Sequence, residues 1–546
     1  MSKPTGTGAA RVKVLAPLTI PIFRALWIAA LVSNIGSWMQ TVGAQWFLVE
    51  QNSSPLLIAL VQTASAAPVL LLGVPAGVLG ELLNRRALLI WVQAAQVLIS
   101  AALIALTAAG ELTSYLLLVL TLLLGAASAV QLPAYQAMAA EIVPVRMIPN
   151  AASLSAISVN LSRAIGPAIA GLLLSGLGVA FVFAVNLASF AVFLVVLACW
   201  RTYRPDAHSP EPFIDATRAG LRYVAHAGVV RRIYVRLGLF VLPGSVLYAL
   251  LPIVATERLG LGAVGYGVLL GGLGAGSVVA AFFIPSLRDG LGSNRTVLIS
   301  SALFGTGTIG VSISPALALT LPVLAVVGAA WIGVVATLNG AVQSFLPVWV
   351  RARGLSVYQM VLFGSSAAGA AISGVFAGWF DPSATLAVAG ALVLVVAVSQ
   401  FAWPLLTTSQ MRRTTVPLPL AAARNADIDA QSATLVLVRY DVADESRDPF
   451  IAQMRLVERS RRRTGARAWS LYEDRETHGE LVEVFSVGSW QEHLQQHNTR
   501  PTQYDDDTIR QASAIARSVS AHHLIQIPRP HTASEHPRDQ RQEKTP

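Results

Sequence analysis

The sequence predicts an all-α membrane protein, twelve spanning helices in two related groups of six, followed by a small α+β domain of ferredoxin-like order. Three observations carry that expectation. Of 546 residues, 54% are hydrophobic and 12% charged, with a mean hydropathy of +0.59, too apolar for a water-soluble chain. The apolar residues fall in runs of roughly 20, the length a helix needs to cross about 30 Å of hydrocarbon. The runs stop near residue 407, and from about residue 433 the composition is that of a soluble domain.

Reading apolar runs between charged or Pro/Gly breaks places the spans at 25–48, 56–80, 87–109, 114–136, 152–175, 179–200, 233–256, 264–286, 296–314, 318–340, 354–378 and 384–407. Segments of about ten residues with alternating polarity, the mark of a membrane barrel, are missing. The first run, Leu26 to Leu48, is too long for a cleavable signal peptide and has no small-residue cleavage pattern. Basic residues of the connecting loops collect on one side, from Lys3 and Arg24 through Arg85, Arg146, Arg201, Arg288 and Arg351 to Arg413, while the other side holds Arg258. By the positive-inside rule both termini face the cytoplasm of a multi-pass protein. That distribution also explains the net charge of +10 without nucleic acid. The single cysteine, Cys199, excludes an intrachain disulfide.

The domain plan follows: a first bundle at 1–200, a cytoplasmic linker at 201–232, a second bundle at 233–407, a linker at 408–432, a soluble domain at 433–528 and a disordered tail at 529–546. The bundles share landmarks. A shift of 203 residues places Pro144 on Pro347, Gly166 on Gly369 and Gly171 on Gly374, and a shift of 208 places Glu81 on Asp289. Repeats of this kind point to a transporter that rocks about a central site.

One span contains a charge. In "NLSRAIGPAIAG", Asn160, Arg163, Pro167 and Gly171 share one helix face. Counted from Ala152, Arg163 lies about 16 Å deep, near the midplane. A charge there costs on the order of 3 kcal/mol, so it must face a wet cavity or a partner. Gly166 and Gly171 remove side-chain bulk and Pro167 frees a carbonyl, so another helix can approach closely. Two roles stay open for Arg163: contact with substrate or a coupling group, or capping of carbonyls between helices. Asn34, Gln40, Gln45, Gln136, Asn339, Gln343 and Gln359 are further polar residues within spans, able to line a cavity or to bond helix to helix.

Three segments resemble the major facilitator superfamily, in the exporter branch that includes enterobactin exporters and is also called transmembrane secretion effectors: "GSWMQTVGAQWFL", "QLPAYQAMAAEIVPVRMIPNAASLSAISVNLSRAIGPAIAG" and "AVQSFLPVWVRARGLSVYQ". The resemblance implies that the Gly166-Pro167 pair, with Gly171, marks an exporter. It also implies a cytoplasmic gate at Glu81, Arg85 and Arg86, with Asp289 and Arg295 in the second bundle. In that loop Glu81 stands for the superfamily's Asp, Leu82 for an Arg and Asn84 for a Gly, so the charge relay is incomplete. Coupling to protons is likewise implied by resemblance. No acidic residue sits mid-span, and Glu50 and Glu141, near span ends, are the coupling candidates. A Walker-type "GxxxxGK[ST]" is absent, which argues against direct ATP use.

The last domain reads strand ("TLVLVRYDV"), helix, two strands ("ARAWSLYED", "ELVEVFSVG"), helices and strand ("AHHLIQI"), the order of a ferredoxin-like fold. It resembles the small dimeric α+β-barrel domains of antibiotic-biosynthesis monooxygenases, and a regulatory or self-association role is expected of it. His493 and His497 lie one helical turn apart but lack a third ligand nearby in sequence, so they read as exposed helix polarity and no metal or cofactor is assigned. The function expected is export of an amphipathic organic molecule, such as a siderophore, natural product or drug, across a bacterial inner membrane. Import of small metabolites and a membrane-tethered enzyme are the alternatives.

Overall fold

Lipid offers no partner for backbone N–H and C=O groups, so apolar runs of this length fold as helices that satisfy themselves. The computed structural model describes residues 15–200, 223, 225–406, 432–477 and 479–527, and among these ten helices are long and apolar enough to cross a membrane. They are α1 Pro21–Glu50, α2 Pro55–Leu82, α3 Arg85–Ala108, α4 Ser114–Ile142, α5 Ile148–Cys199, α6 Gly228–Ile253, α7 Ala263–Ile313, α8 Leu317–Phe345, α9 Val348–Trp379 and α10 Pro382–Ala402. Asn84, Thr113 and Asp381 cap α3, α4 and α10 by accepting from Ala87, Leu116 and Ala384 N–H groups.

Two of the helices are double. α5 runs 52 residues and α7 51, and each contains one non-helical glycine: Gly178 (φ 77°, ψ 176°) and Gly292 (φ 79°, ψ 159°). That conformation is open to glycine and strained for any other residue. The chain reverses at both. Before Gly178, α5 climbs beside α1, with the Trp27 indole donating to the Leu154 carbonyl, the Ser162 hydroxyl to Leu31, and Gly166 against Trp38. After it the chain descends, with Phe183 at Gly43, Asn186 bonded to Gln40, and Phe193 packed with Leu26. α7 does the same beside α8: Gly272 meets Leu321 and Gly276 meets Ala325, then Gly307 meets Val327 and Gly310 meets Val323. The described residues therefore form twelve helical segments, broken where the sequence places spans 152–175/179–200 and 264–286/296–314.

α6 begins at Gly228, not at residue 233, so Arg231 and Arg232 of the expected linker sit on its first turns. Most of the linkers 201–232 and 408–432, and all of the tail 529–546, lie outside the described residues.

Each half, α1–α5 and α6–α10, is tied at the end where it starts and finishes, here the proximal end. Arg86 on α3 donates to the Leu197 and Ala198 carbonyls at 2.8 and 3.0 Å, satisfying the open C-terminus of α5. Asn294, which the 208-residue shift places on Arg86, exchanges hydrogen bonds with Leu405 beyond α10 at 3.0 and 2.8 Å. Arg236, buried within α6, donates to the Val396 and Trp403 carbonyls and the Ser399 hydroxyl.

The described residues divide into two units, the helical bundle and a C-terminal domain that includes Tyr223 and residues 225–227. The second unit contains β1 Thr434–Asp441, α11 Arg447–Thr464, β2 Ala468–Glu473, β3 Glu480–Val487, α12 Trp490–Asn498, α13 Gln503–Ile515 and β4 Ser518–Ile525. The sheet is antiparallel in the order β2-β3-β1-β4, the ferredoxin-like arrangement the element order predicts. Alternate residues of β1, Val436, Val438 and Tyr440, bury against Phe450, Met454 and Val457 of α11. In the core Glu483 accepts from Arg461, Trp469 and Tyr440 at 3.1, 2.8 and 3.0 Å, so its buried charge is fully engaged.

Candidate functional site

Gly166 and Gly369 each bring the fifth segment of a half onto its first. A Cβ on Gly166 would lie 2.7 Å from the Trp38 Cβ and 3.1 Å from the Ile35 carbonyl, and one on Gly369 would collide with the Leu242 carbonyl. Close packing of α5 on α1 sets the Trp38 ring beneath Arg163, one turn before Gly166, with the guanidinium carbon 5.2 Å from the ring centroid. Among the described residues Arg163 has no carboxylate partner, and its Nε is shielded from solvent without a hydrogen bond.

Across the seam, on α6, Tyr248 is close enough to feel that charge, and its hydroxyl too is buried without a partner. The Tyr248 ring meets Trp331 edge to face at 5.4 Å, and Trp331 packs on Phe240 and Phe304 at 5.5 and 5.7 Å. An unpaired guanidinium on one aromatic face, with the Tyr248 hydroxyl within its electrostatic reach and an aromatic cluster behind that tyrosine, suits an anionic or hydrogen-bonding group carried on an apolar body.

Above this layer the halves touch, at the distal end opposite the termini of α1 and α10. Gln45 donates to the Tyr248 carbonyl at 3.4 Å and accepts from the Tyr266 hydroxyl at 2.7 Å. Trp46 stacks on Tyr266 with centroids 6.1 Å apart, and its indole donates to Glu50 at 2.7 Å. Gly171 and Gly267 bring α5 and α7 together, since a Cβ on either would lie 2.8 Å from the other's Cα. Gly374 does the same for α9 against Leu56 and Ala59 of α2.

The nine cavity candidates therefore separate. Gln45 bonds across the seam to the Tyr248 carbonyl, and Arg163 lies on Trp38 in the layer below. Asn34 bonds Ser158 at 3.4 Å between α1 and α5, and Gln40, buried, accepts from Asn186 at 3.3 Å inside the first half. Asn339 accepts from Gln343, Gln343 and Gln136 are exposed, and Gln359 is half-buried. The side chain of Asn160 lies outside the described residues, as does that of Glu81. Of the gate residues, Arg85 pairs with Glu141 of α4, Arg86 holds the end of α5, Asp289 lies beside Arg288 at 3.8 Å, and Arg295 is exposed. Glu50 is the carboxylate hydrogen-bonded to Trp46.

Sequence reasoning overlooked Trp38, Tyr248, Trp331 and Tyr266. One signal for Tyr248 was present: the 203-residue shift that matches Gly166 with Gly369 also matches Gln45 with Tyr248. In the C-terminal domain, His493 is buried rather than on the exposed face expected of it.

Comparisons with known proteins agree with this architecture. The nucleoside transporter NupG superposes with a TM-score of 0.59 at 12% identity over 70% of this chain and 100% of that one. A POT family transporter gives 0.57 at 12% over 70% and 95%, and a bacterial homologue of the lysosomal transporter Spinster, inward-facing and unoccupied, gives 0.54 at 14% over 70% and 94%. These likenesses speak for the fold. By sequence, the chain is 25% identical to the staphyloferrin A transporter of Staphylococcus aureus (strain NCTC 8325 / PS 47) over 283 residues, 51% of this chain and 70% of that protein. It is 28% identical to the uncharacterised MFS-type transporter YfiS of Bacillus subtilis (strain 168) over 184 residues, 32% and 43% of the two chains. The family described as transmembrane secretion effector matches residues 12–531, nearly the whole sequence, and the chain belongs to that family of MFS-type membrane transporters.

Proposed function

We propose that this transporter is a secondary active exporter of amphipathic organic molecules of the siderophore type, working by alternating access across a bacterial inner membrane. The twelve helical segments are twelve spans, and the basic loops hold both termini in the cytoplasm. Substrate enters from the proximal, cytoplasmic end and binds at the Arg163 layer; the distal contacts then part to release it outside. The observation that carries this reading is Arg163, an unpaired guanidinium on a Trp38 face at the seam between halves. Support for a siderophore-type cargo is the relative named for staphyloferrin A, and the Gly166-Pro167 pair supports the outward direction. Proton antiport supplies the energy, with Glu50 and Glu141 as the carboxylates available. The C-terminal domain mediates self-association.

The test is export by cells carrying Arg163→Ala or Arg163→Lys at equal membrane levels. Loss of a charge-assisted contact of about 1.5–3 kcal/mol predicts a drop of roughly 10- to 150-fold for Arg163→Ala, with partial activity for Arg163→Lys. Near-normal export by Arg163→Ala refutes the role. Collapse of the proton gradient is expected to abolish export by the unmodified protein.

A further inference from the structure

We propose that the C-terminal domain carries a three-histidine site for a first-row divalent metal ion of the zinc type, formed by His493, His497 and His523. One helical turn separates His493 from His497 on α12, and antiparallel pairing of β4 with β1 sets His523 opposite Val436, on the face of the sheet that packs against the helices. Ligand atoms of the three rings all lie within 4.8 Å of one another. Ring centroids are 4.7 Å apart for His493 and His497 and 4.9 Å for His493 and His523, with Trp490 forming a wall at 5.4 Å from His493 and 5.9 Å from His523.

The hydrogen bonds around His493 set its tautomer. Gln496 donates through Nε2 to the Arg461 carbonyl and the Thr464 hydroxyl, at 3.3 and 3.2 Å, so its Oε1 is left to face His493 Nδ1 at 3.2 Å. Turning the amide over would set Oε1 against the Arg461 carbonyl, two acceptors together. Nδ1 therefore carries the proton and donates, and the lone pair is on Nε2, which is buried and has no protein partner. A metal-bound imidazole has this same arrangement: one nitrogen on the ion, the other N–H held by a neighbouring acceptor. Burial first, then the neighbouring His497 and His523, lower the His493 pKa to about 3, so the ring is neutral at physiological pH. The positive charge of nearby Arg461 is matched by Glu483 at 3.1 Å.

A tetrahedral ion with metal–nitrogen bonds of about 2.05 Å needs ligand atoms about 3.3 Å apart. No separation need close by more than about 1.5 Å, a movement open to His497 and His523, which are half-buried and turn about their own side-chain torsions. Three imidazoles leave a fourth position for water or another small ligand. His522, the adjacent residue of β4, points to the opposite, exposed face and takes no part.

The full chain, purified in detergent without a polyhistidine tag, tests the assignment by competition for Zn(II) against a chromogenic chelator and by the absorption of bound Co(II). The unmodified protein is expected to take one high-affinity Zn(II) per chain and to give the intense visible bands of tetrahedral cobalt. His523→Gln and His497→Gln should each weaken Zn(II) binding at least tenfold and remove those bands, while His522→Gln should leave both unchanged. Both ligand positions are half-buried, so the fold tolerates these substitutions better than one at His493. Zn(II) affinity and a cobalt spectrum unaltered by His523→Gln, or equal losses from His522→Gln, overturn the proposal.

Discussion

The contact between Gly171 and Gly267 is one of the places at which a side chain would force the halves apart. A Cβ at Gly171 meets the Ala263 carbonyl and the Gly267 Cα, both at 2.8 Å, and the Gly267 nitrogen at 3.2 Å. Ordinary contacts of this kind begin near 3.4 Å, so Gly171→Val must separate α5 from α7 by more than half an ångström, and its γ-methyls add to that. Overpacking costs about 1–3 kcal/mol, and here the cost falls only on the conformation in which the distal ends meet. The population of that conformation relative to the opened one should fall by about 5- to 150-fold, with little loss of overall stability. Gly176→Val is the control, because a Cβ there meets nothing within 4 Å. With Cys199→Ser as background, spin labels at Glu111→Cys and Glu257→Cys, both exposed near the distal end of opposite halves, report the separation by electron double resonance. Gly171→Val should move the distance distribution to longer values and Gly176→Val should not. Identical distributions for the two variants refute the claim that glycine spacing, rather than the Gln45–Tyr266 bonds, decides whether the distal end closes.

Removing the buried guanidinium in Arg236→Met leaves the Val396 and Trp403 carbonyls uncapped and should lower the midpoint of thermal unfolding by the equivalent of about 2–4 kcal/mol, read on protein in detergent. Glu483→Gln breaks a buried pair and strands Arg461, at a cost of about 3–5 kcal/mol to the C-terminal domain; Glu483→Leu combined with Arg461→Met should recover only part of it in denaturant titrations followed by tryptophan fluorescence, because Tyr440 and Trp469 lose their acceptor. The depressed pKa of His493, about 3 when folded against about 6.5 unfolded, means that the unfolded chain binds the extra proton between those values. Metal-free protein should therefore lose stability as pH falls below about 6.5, by up to about 1.4 kcal/mol per unit from this group, whose share levels off near pH 3 while the buried Asp505 carboxylate adds its own loss at the acid end; a flat profile between pH 6.5 and 5 removes His493 as the cause.

Much of the helical fold is legible from sequence because a bilayer imposes one length and one backbone solution on every apolar run. The reversals at Gly178 and Gly292 fall where the composition breaks, and the 203- and 208-residue shifts pick out positions that are equivalent in space. The candidate site is less legible. Arg163 stands out because its charge is costly in an apolar run, but Trp38 beneath it and Tyr248 within its electrostatic reach look like any other aromatic residue of a span. Arg236 hides near the basic start of α6, where a charge raises no question. The same limit governs the histidines: His523 is 26 residues beyond His497, and only the pairing of β4 with β1 brings it to α12. Contacts made by folding over long separations leave no local periodicity to read.

The distribution of strong and weak contacts bears on mechanism. At the proximal end the charged and amide groups work inside each half: Arg86 on the end of α5, Arg85 on Glu141, Arg236 and Asn294 on the end of α10. Each half is thereby closed on itself, and separating its elements would strand charges at buried helix termini. At the distal end the described contacts between the halves are glycine contacts, the Gln45 hydrogen bonds to the Tyr266 hydroxyl and the Tyr248 carbonyl, and the Trp46–Tyr266 stack. Breaking these strands no charge, and water can satisfy every polar group released. A molecule with costly ties within its halves and cheap ones between them should move as two rigid bodies about the layer holding Arg163, the behaviour that alternating access requires.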